Sequence, residues 1–194
     1  LQNLGTVDFV GGVAGKLSDM QIVGETRTEL GTLHGRMQVN SDKEQRQLGL
    51  LANLATTNFS LGGLLDDEKF GDISLHFDVN SRFYNERTPQ VQLKCVVDSL
   101  QYNDYRYENI TLDGQYNAAG FQGEAMLDDP NGRLIVNGQF NAYSSPAVYK
   151  FHAQVADFHP HALRLTEEYE GGEFNFKVNA NFQGNTLDNL QGMI

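Results

Sequence analysis

The segment GGEFNFKVNANFQG puts Phe174, Phe176, Val178, Ala180 and Phe182 at every second position, with Glu173, Asn175, Lys177, Asn179, Asn181 and Gln183 between them. Successive side chains of an extended chain point to opposite sides, so strict alternation specifies a strand with one apolar face and one wet face. The pattern recurs in Leu33, Gly35, Met37 and Val39, in Ile73, Leu75, Phe77 and Val79, and in Val91, Leu93, Cys95 and Val97. It returns in Phe121, Gly123, Ala125 and Leu127, then in Leu134, Val136, Gly138 and Phe140. Such a chain is all-β, and what it does depends on what its apolar side meets.

Punctuation between the windows supports this reading. In DDPNGR, Pro130 fixes φ for a turn and Asn131-Gly132 tolerate a tight reversal, which predicts a hairpin. SDKEQRQLGLL offers a helix start, with Ser41 as cap and Glu44 three residues later, but the following LGLLANLATTNF favours a strand. SLGGLLDDE predicts a single helical turn at a strand end. Gly35, Gly114, Gly123, Gly138 and Gly184 fall in phase with the apolar face, which predicts a sheet that bends about that side or needs room there.

The pieces also repeat. Asn58-Phe59 with Leu64 is echoed by Asp157-Phe158 with Leu163, the phenylalanines standing 99 residues apart. GDISLHFDVN from Gly71 is echoed by GEFNFKVNAN from Gly172, 101 residues on, and more weakly by GTVDFV from Gly5. Stacked modules follow, with approximate spans 1–69, 70–170 and a truncated 171–194 inside one repeat-built segment.

Composition removes some functions. The formal charge of −11 opposes phosphate-backbone binding, so nucleic acid is excluded as a partner. The single cysteine, Cys95, lies in phase with Val91, Leu93 and Val97 and fills an apolar position; an internal disulfide is impossible. No run of ~18 apolar residues occurs. The segment reads as part of a longer chain, with any signal or membrane anchor outside it.

Candidate chemistry is sparse. His159 and His161 in DFHPHALRL would share one side of a strand with Asp157 and could hold a metal, although Pro160 intervenes and a third ligand is missing. Asp66-Asp67 and Asp128-Asp129 could be imagined as glycosidase carboxylates, but turns also favour Asp. Tyr102, Tyr105 and Tyr107 could stack on a sugar or fill cross-strand pairs. NFS at Asn58 and NIT at Asn109 fit the glycosylation triplet. No nucleophile elbow appears, and Gly11-Gly12-Val13-Ala14-Gly15 lacks the Lys-Ser/Thr of a phosphate loop. No cofactor, metal or catalytic residue is implied.

Three stretches, taken in order, carry a resemblance: ANLATTNFSLGGLLDDEKFGDISLHFDVN, VDSLQYNDYRYENITLDGQYNAAGFQGEAMLDDPNGRLIVNGQF and VADFHPHALRL. Together they resemble the repeat region of large TamB-type proteins of the AsmA-like group, especially those of Bacteroidetes envelopes, over most of residues 45 to 190. The resemblance implies an elongated antiparallel sheet bent into a U-shaped, taco-like groove in the periplasm. It further implies an inner-membrane anchor outside this segment, an outer-membrane assembly-factor barrel as partner, and work in outer-membrane protein assembly or secretion and phospholipid transfer. The clients would be phospholipid acyl chains or unfolded outer-membrane protein strands.

Pattern and resemblance meet at the apolar face. The residues expected to line the groove are Ile73, Leu75, Phe77, Val79, Val91, Leu93, Val97, Leu134, Val136, Phe140, Phe174, Phe176, Val178 and Phe182. The same residues could instead fill a closed β-sandwich core. Two other functions remain open at this level: a carbohydrate-binding module using the tyrosine cluster, and a β-rich glycoside hydrolase using paired carboxylates.

Overall fold

A computed structural model describes residues 2–42, 44, 46–84, 89–141, 146–184 and 191–193. Twelve strands among them make one antiparallel meander in which every strand pairs with its sequence neighbours. In order they are β1 (Asp8–Lys16), β2 (Asp19–Thr28), β3 (Gly31–Asp42), β4 (Gln47–Ser60), β5 (Phe70–Tyr84) and β6 (Gln90–Tyr102). There follow β7 (Tyr105–Asn117), β8 (Gly120–Asp129), β9 (Gly132–Asn141), β10 (Val148–Phe158), β11 (Phe174–Gln183) and β12 (Gln191–Met193). The sheet is all-β, elongated and curved, and it does not close, since β1 and β12 are not paired with each other.

Register carries one face across the molecule. Val13 opposes Ile22, Ile22 opposes Met37, Met37 opposes Ala52, Ala52 opposes Val79, and Val79 opposes Leu93. One rung along, Phe77 opposes Cys95, Cys95 Leu112, Leu112 Ala125, Ala125 Val136, Val136 Ala153 and Ala153 Val178. Directly opposed residues of an antiparallel pair share a face, so these side chains form one apolar surface from β1 to β11. The other face carries rungs such as Asn53–Asp78–Lys94–Asp113–Glu124–Asn137.

All strands belong to this one sheet, so no second sheet packs on the apolar face among the described residues. Ile73, Leu75, Phe77 and Val79 are accordingly half-buried rather than buried. The fully buried apolar residues are small (Ala52, Ala153, Ala180) or lie near strand ends (Phe59, Tyr107, Ala147, Leu163).

The in-phase glycines make room for rings. Phe121 lies over Gly114 and Gly123, so a Cβ at Gly123 would stand 2.9 Å from its Cζ. Phe9 covers Gly11 and Gly24 in the same way, where a Cβ would meet its ring at 2.5 and 2.6 Å. An aromatic ring laid along the sheet thus restores the apolar contact that each glycine lacks.

The paired sequence segments share local structure. β4 and β10 both end in a bulge that places two residues opposite one on the next strand. In each, the second bulged residue is left-handed, Asn58 at φ 51° and Asp157 at φ 49°. The Asn58 N–H donates to Ser74 Oγ at 3.0 Å, and the Asp157 N–H donates to Asn175 Oδ1 at 2.8 Å. The next phenylalanine packs against a glycine in both copies, with Gly31 against Phe59 and Gly132 against Phe158.

Each bulge leads into a helical turn. The first is α1 (Leu61–Leu65), whose Gly63 N–H donates to the Ser60 side chain and whose C-cap is left-handed Asp66. The second spans 159–165, where the Leu163 N–H donates to His159 O and the Leu165 N–H to Pro160 O. Two alternatives that the sequence left open are decided here, the first in favour of the strand that the sequence reading preferred. Ser41 and Asp42 belong to β3 and β4 begins at Gln47, so no helix forms in the described part of 41–51; residues 43 and 45 lie outside the described residues. His159 and His161 do not share a strand face, because β10 ends at Phe158 and both sit in the turn.

Candidate functional site

All fourteen expected groove residues fall on the apolar face. Val91 opposes Ser81 and Tyr116; Leu93 opposes Val79; Val97 opposes Leu75 and Ile110. Leu134 opposes Leu127 and Val155, and Phe140 opposes Phe121 and Tyr149. Phe174 opposes Phe158, Phe176 opposes Val155, and Phe182 opposes Tyr149. Most are half-buried, while Phe176 is 48% exposed.

The face also holds residues outside that expectation. Leu50, Leu54 and Phe59 come from β4, Leu100 from β6, Ile110 and Leu112 from β7, and Phe151 and Val155 from β10. Single-residue offsets hid part of this set. Leu75 opposes Val97 but Ile73 opposes Leu100, which in turn opposes Tyr107, so Asp98 on β6 and left-handed Asn109 on β7 are each extra and shift the apolar phase by one. The alternation of Tyr149, Phe151, Ala153 and Val155 was readable in the sequence and needed only its polar partners Lys150, His152 and Gln154 to be counted.

Aromatic residues edge this surface and aliphatic ones dominate its middle. Tyr116, Phe121, Phe140, Tyr149 and Phe182 succeed one another on β7 to β11. Within this rail the Phe140 and Tyr149 rings meet edge to face at 6.4 Å, and Phe151, one rung further in on β10, stacks on Phe140 at 6.3 Å and meets Phe182 at 6.5 Å. At the other ends of the strands, Phe70 meets Tyr102 at 4.8 Å and Tyr105 meets Tyr107 edge to face at 4.8 Å. Beside this second rail lies an apolar groove of about 400 Å³, lined by Phe70, Leu100, Tyr107, Ile110, Leu127 and Leu134 among others. Of the fourteen expected residues, Leu134 is the one that lines it.

A larger furrow, about 1220 Å³, crosses β4 to β9 between polar side chains such as Asn53, Asp78, Lys94, Gln122, Glu124 and Gln139. The sheet therefore hollows its wet side as well as its apolar side, as a twisted sheet does along its two diagonals. The sequence reading placed concavity on the apolar side alone.

The residues considered for other chemistry have structural partners. Tyr107 is buried and its hydroxyl donates to Leu163 O at 2.6 Å, which fastens the 159–165 turn over the end of the apolar face. The Tyr105 hydroxyl donates to Asp129 Oδ1 and accepts from Asn131 Nδ2 at 2.8 Å. Asp129 also accepts from the Glu108 and Asn131 N–H groups, at 3.2 and 2.9 Å, closing the β8–β9 hairpin that DDPNGR predicts. Tyr105 and Tyr107 thus form a packed edge-to-face pair and not an open stacking platform.

Burial raises the pKa of the Tyr107 hydroxyl to about 12, with the neighbouring Tyr105 and Asp129 adding to the shift. Desolvation, then the bond to Asp129, also raises that of Tyr105. Asp67 accepts from the Lys69 N–H at 3.0 Å, and Asp128 faces Arg133 at 3.9 Å. These are the bonds of turn and surface carboxylates. Asn58 and Asn109, the two glycosylation-type asparagines, both occupy left-handed bulge positions. Among the described residues no three His, Cys, Asp or Glu side chains gather as a metal site, and no helix is long and apolar enough to cross a membrane.

Cys95 sits on the apolar face between Phe77 and Leu112, half-buried, and desolvation raises its thiol pKa. It is the chain's own reporter on this surface. Comparison with protein-family models, with curated proteins and with solved structures finds no match to the chain.

Proposed function

We propose that the chain is a non-enzymatic scaffold or conduit of the cell envelope, whose apolar face shelters phospholipid acyl chains or the unfolded strands of outer-membrane proteins. The observation that carries this reading is a one-sided apolar surface continued by register from β1 to β11 with no second sheet upon it among the described residues. In water such a face is costly unless something covers it, because exposed hydrocarbon costs ~0.8 kcal/mol per methylene. A ~16-carbon acyl chain has the same need, on the order of 12 kcal/mol. Each relieves the other.

Dimensions support the pairing. The seven strand steps from β4 to β11, at ~4.8 Å each, make a lane of roughly 34 Å. Acyl chains of one leaflet fill about half of a ~30 Å hydrocarbon core. A lipid can therefore lie wholly on the lane, with its head group in water beside the sheet. The resemblance to TamB-type proteins sets this activity in the periplasm, in outer-membrane biogenesis, with membrane anchor and assembly-factor barrel contacted through parts outside the segment.

Cys95 tests the reading directly. Phospholipid should co-purify in native mass spectrometry, and alkylation of Cys95 by a small maleimide should slow several-fold when lysophospholipid is added below its micellar concentration. Absence of bound lipid together with an unchanged alkylation rate would refute the proposal.

A further inference from the structure

The outer edge of β1 supports an inference independent of lipid. The sequence of Gly5-Thr6-Val7-Asp8-Phe9 weakly echoes Gly71-Asp72-Ile73-Ser74-Leu75 and Gly172-Glu173-Phe174-Asn175-Phe176, and in these alignments Asp8, Ser74 and Asn175 correspond; β1 begins at Asp8, β5 at Phe70 and β11 at Phe174. Each follows a helical turn: Gln2–Leu4 before β1, α1 before β5, and 159–165 before β11. The first two turns touch, the Asn3 Nδ2 donating to Leu64 O at 3.1 Å.

β5 and β11 also share what lies upstream. Each receives a strand ending in an Asn-Phe or Asp-Phe bulge, and each caps the left-handed residue through Ser74 or Asn175. Asp8 occupies the corresponding place on β1. There, among the described residues, β1 pairs with β2 alone, so its other edge carries no strand. Phe9 and Val13 are 51% and 63% exposed, whereas their counterparts on β5, Leu75 and Val79, are half-buried between two neighbours.

We propose that the outer edge of β1 docks an antiparallel strand of defined chemistry, one closing in a left-handed Asn or Asp followed by Phe, with the Asp8 carboxylate accepting the N–H of that Asn or Asp. The backbone ladder supplies affinity and the bulge cap fixes register. β4 and β10 have this ending but are already paired on both sides, so the occupant is a like strand presented by another module and not a folded second copy.

The test is titration of the isotope-labelled chain with a blocked peptide of sequence QLGLLANLATTNFS, copied from residues 47–60, and with a version lacking Thr57 and Asn58. Amide resonances of β1 should shift and their hydrogen exchange should slow. Asp8→Ala should weaken the full peptide about tenfold, the equivalent of ~1.4 kcal/mol, and leave the shortened peptide unaffected. Asp8→Asn keeps the acceptor and should restore most of the affinity. Shifts confined to β11 and β12, no shift at millimolar peptide, or equal affinity in Asp8→Ala would each overturn the proposal.

Discussion

Replacing Val136 by glutamate separates an open apolar face from a closed core. Val136 lies mid-lane, half-buried, between Ala125 on β8 and Ala153 on β10. Full burial of a valine is worth ~1.5 kcal/mol at the low end of the usual range, so losing half of it costs about 0.8 kcal/mol. Exchanging a β-branched residue for glutamate adds up to ~1 kcal/mol of strand propensity. With no second sheet above, the carboxylate reaches water and stays hydrated. The sum is ~1–2 kcal/mol, which for a chain of this size lowers the Tm by roughly 2–8 °C.

Beneath a second layer the same carboxylate would be desolvated without a partner, and the loss would exceed ~4 kcal/mol or prevent folding. Urea unfolding followed by far-ultraviolet circular dichroism measures the difference, with Val136→Ala as the control for lost methyl groups. The charged variant should remain folded yet lose co-purified phospholipid and the lipid protection of Cys95. An unfolded Val136→Glu protein refutes the open-face argument, and unimpaired lipid binding refutes the lane as the binding surface.

Ionising Tyr107 is opposed in the fold, so its contribution to stability should be constant below its ordinary value near 10 and fall as pH rises from there through about 12. Tyr107→Phe should lose ~1 kcal/mol near neutrality through the bond to Leu163 O and should flatten that alkaline decline in chemical denaturation across pH. Gly123→Ala should cost ~1–3 kcal/mol, because the new methyl would meet the Phe121 ring and the Asp113 carbonyl; Gly12→Ala, with nothing within 4 Å, should be neutral in the same melts. Asn175→Ala should cost ~1 kcal/mol by leaving the Asp157 N–H without its acceptor, seen as faster hydrogen exchange at that amide.

The strands and their faces were legible because period-two alternation depends only on local geometry. Phe174 to Phe182 read as one strand and are one strand. The hairpin at Pro130 and the helical turn after Ser60 were legible for the same reason, since turn residues and caps act within a few positions. Bulges were not. A bulge reverses phase after a single inserted residue, so Leu100 looks out of step with Val97, and Tyr107 with Ile110, until Asp98 and Asn109 are recognised as extra.

The groove lined by Leu100, Tyr107 and Leu127 was missed because it forms where three strand ends and the returning 159–165 turn converge, which depends on contacts between residues far apart in the chain. The strand preferred over a helix after Ser41 and Glu44 is the one that forms, because a capping signal has little force without an apolar stripe behind it, whereas Leu48, Leu50, Ala52 and Leu54 continue with period two.

Strict neighbour-to-neighbour pairing has a consequence for how the molecule is made. Each strand pairs with its neighbours in sequence, across connections that run from two residues to the fifteen between β10 and β11, so no strand waits for a segment far along the chain and the entropy lost in closing each loop stays small. The ribbon can be assembled in the order in which it is synthesised, each new hairpin templated on the last, and its growing end is a strand ready to receive the next.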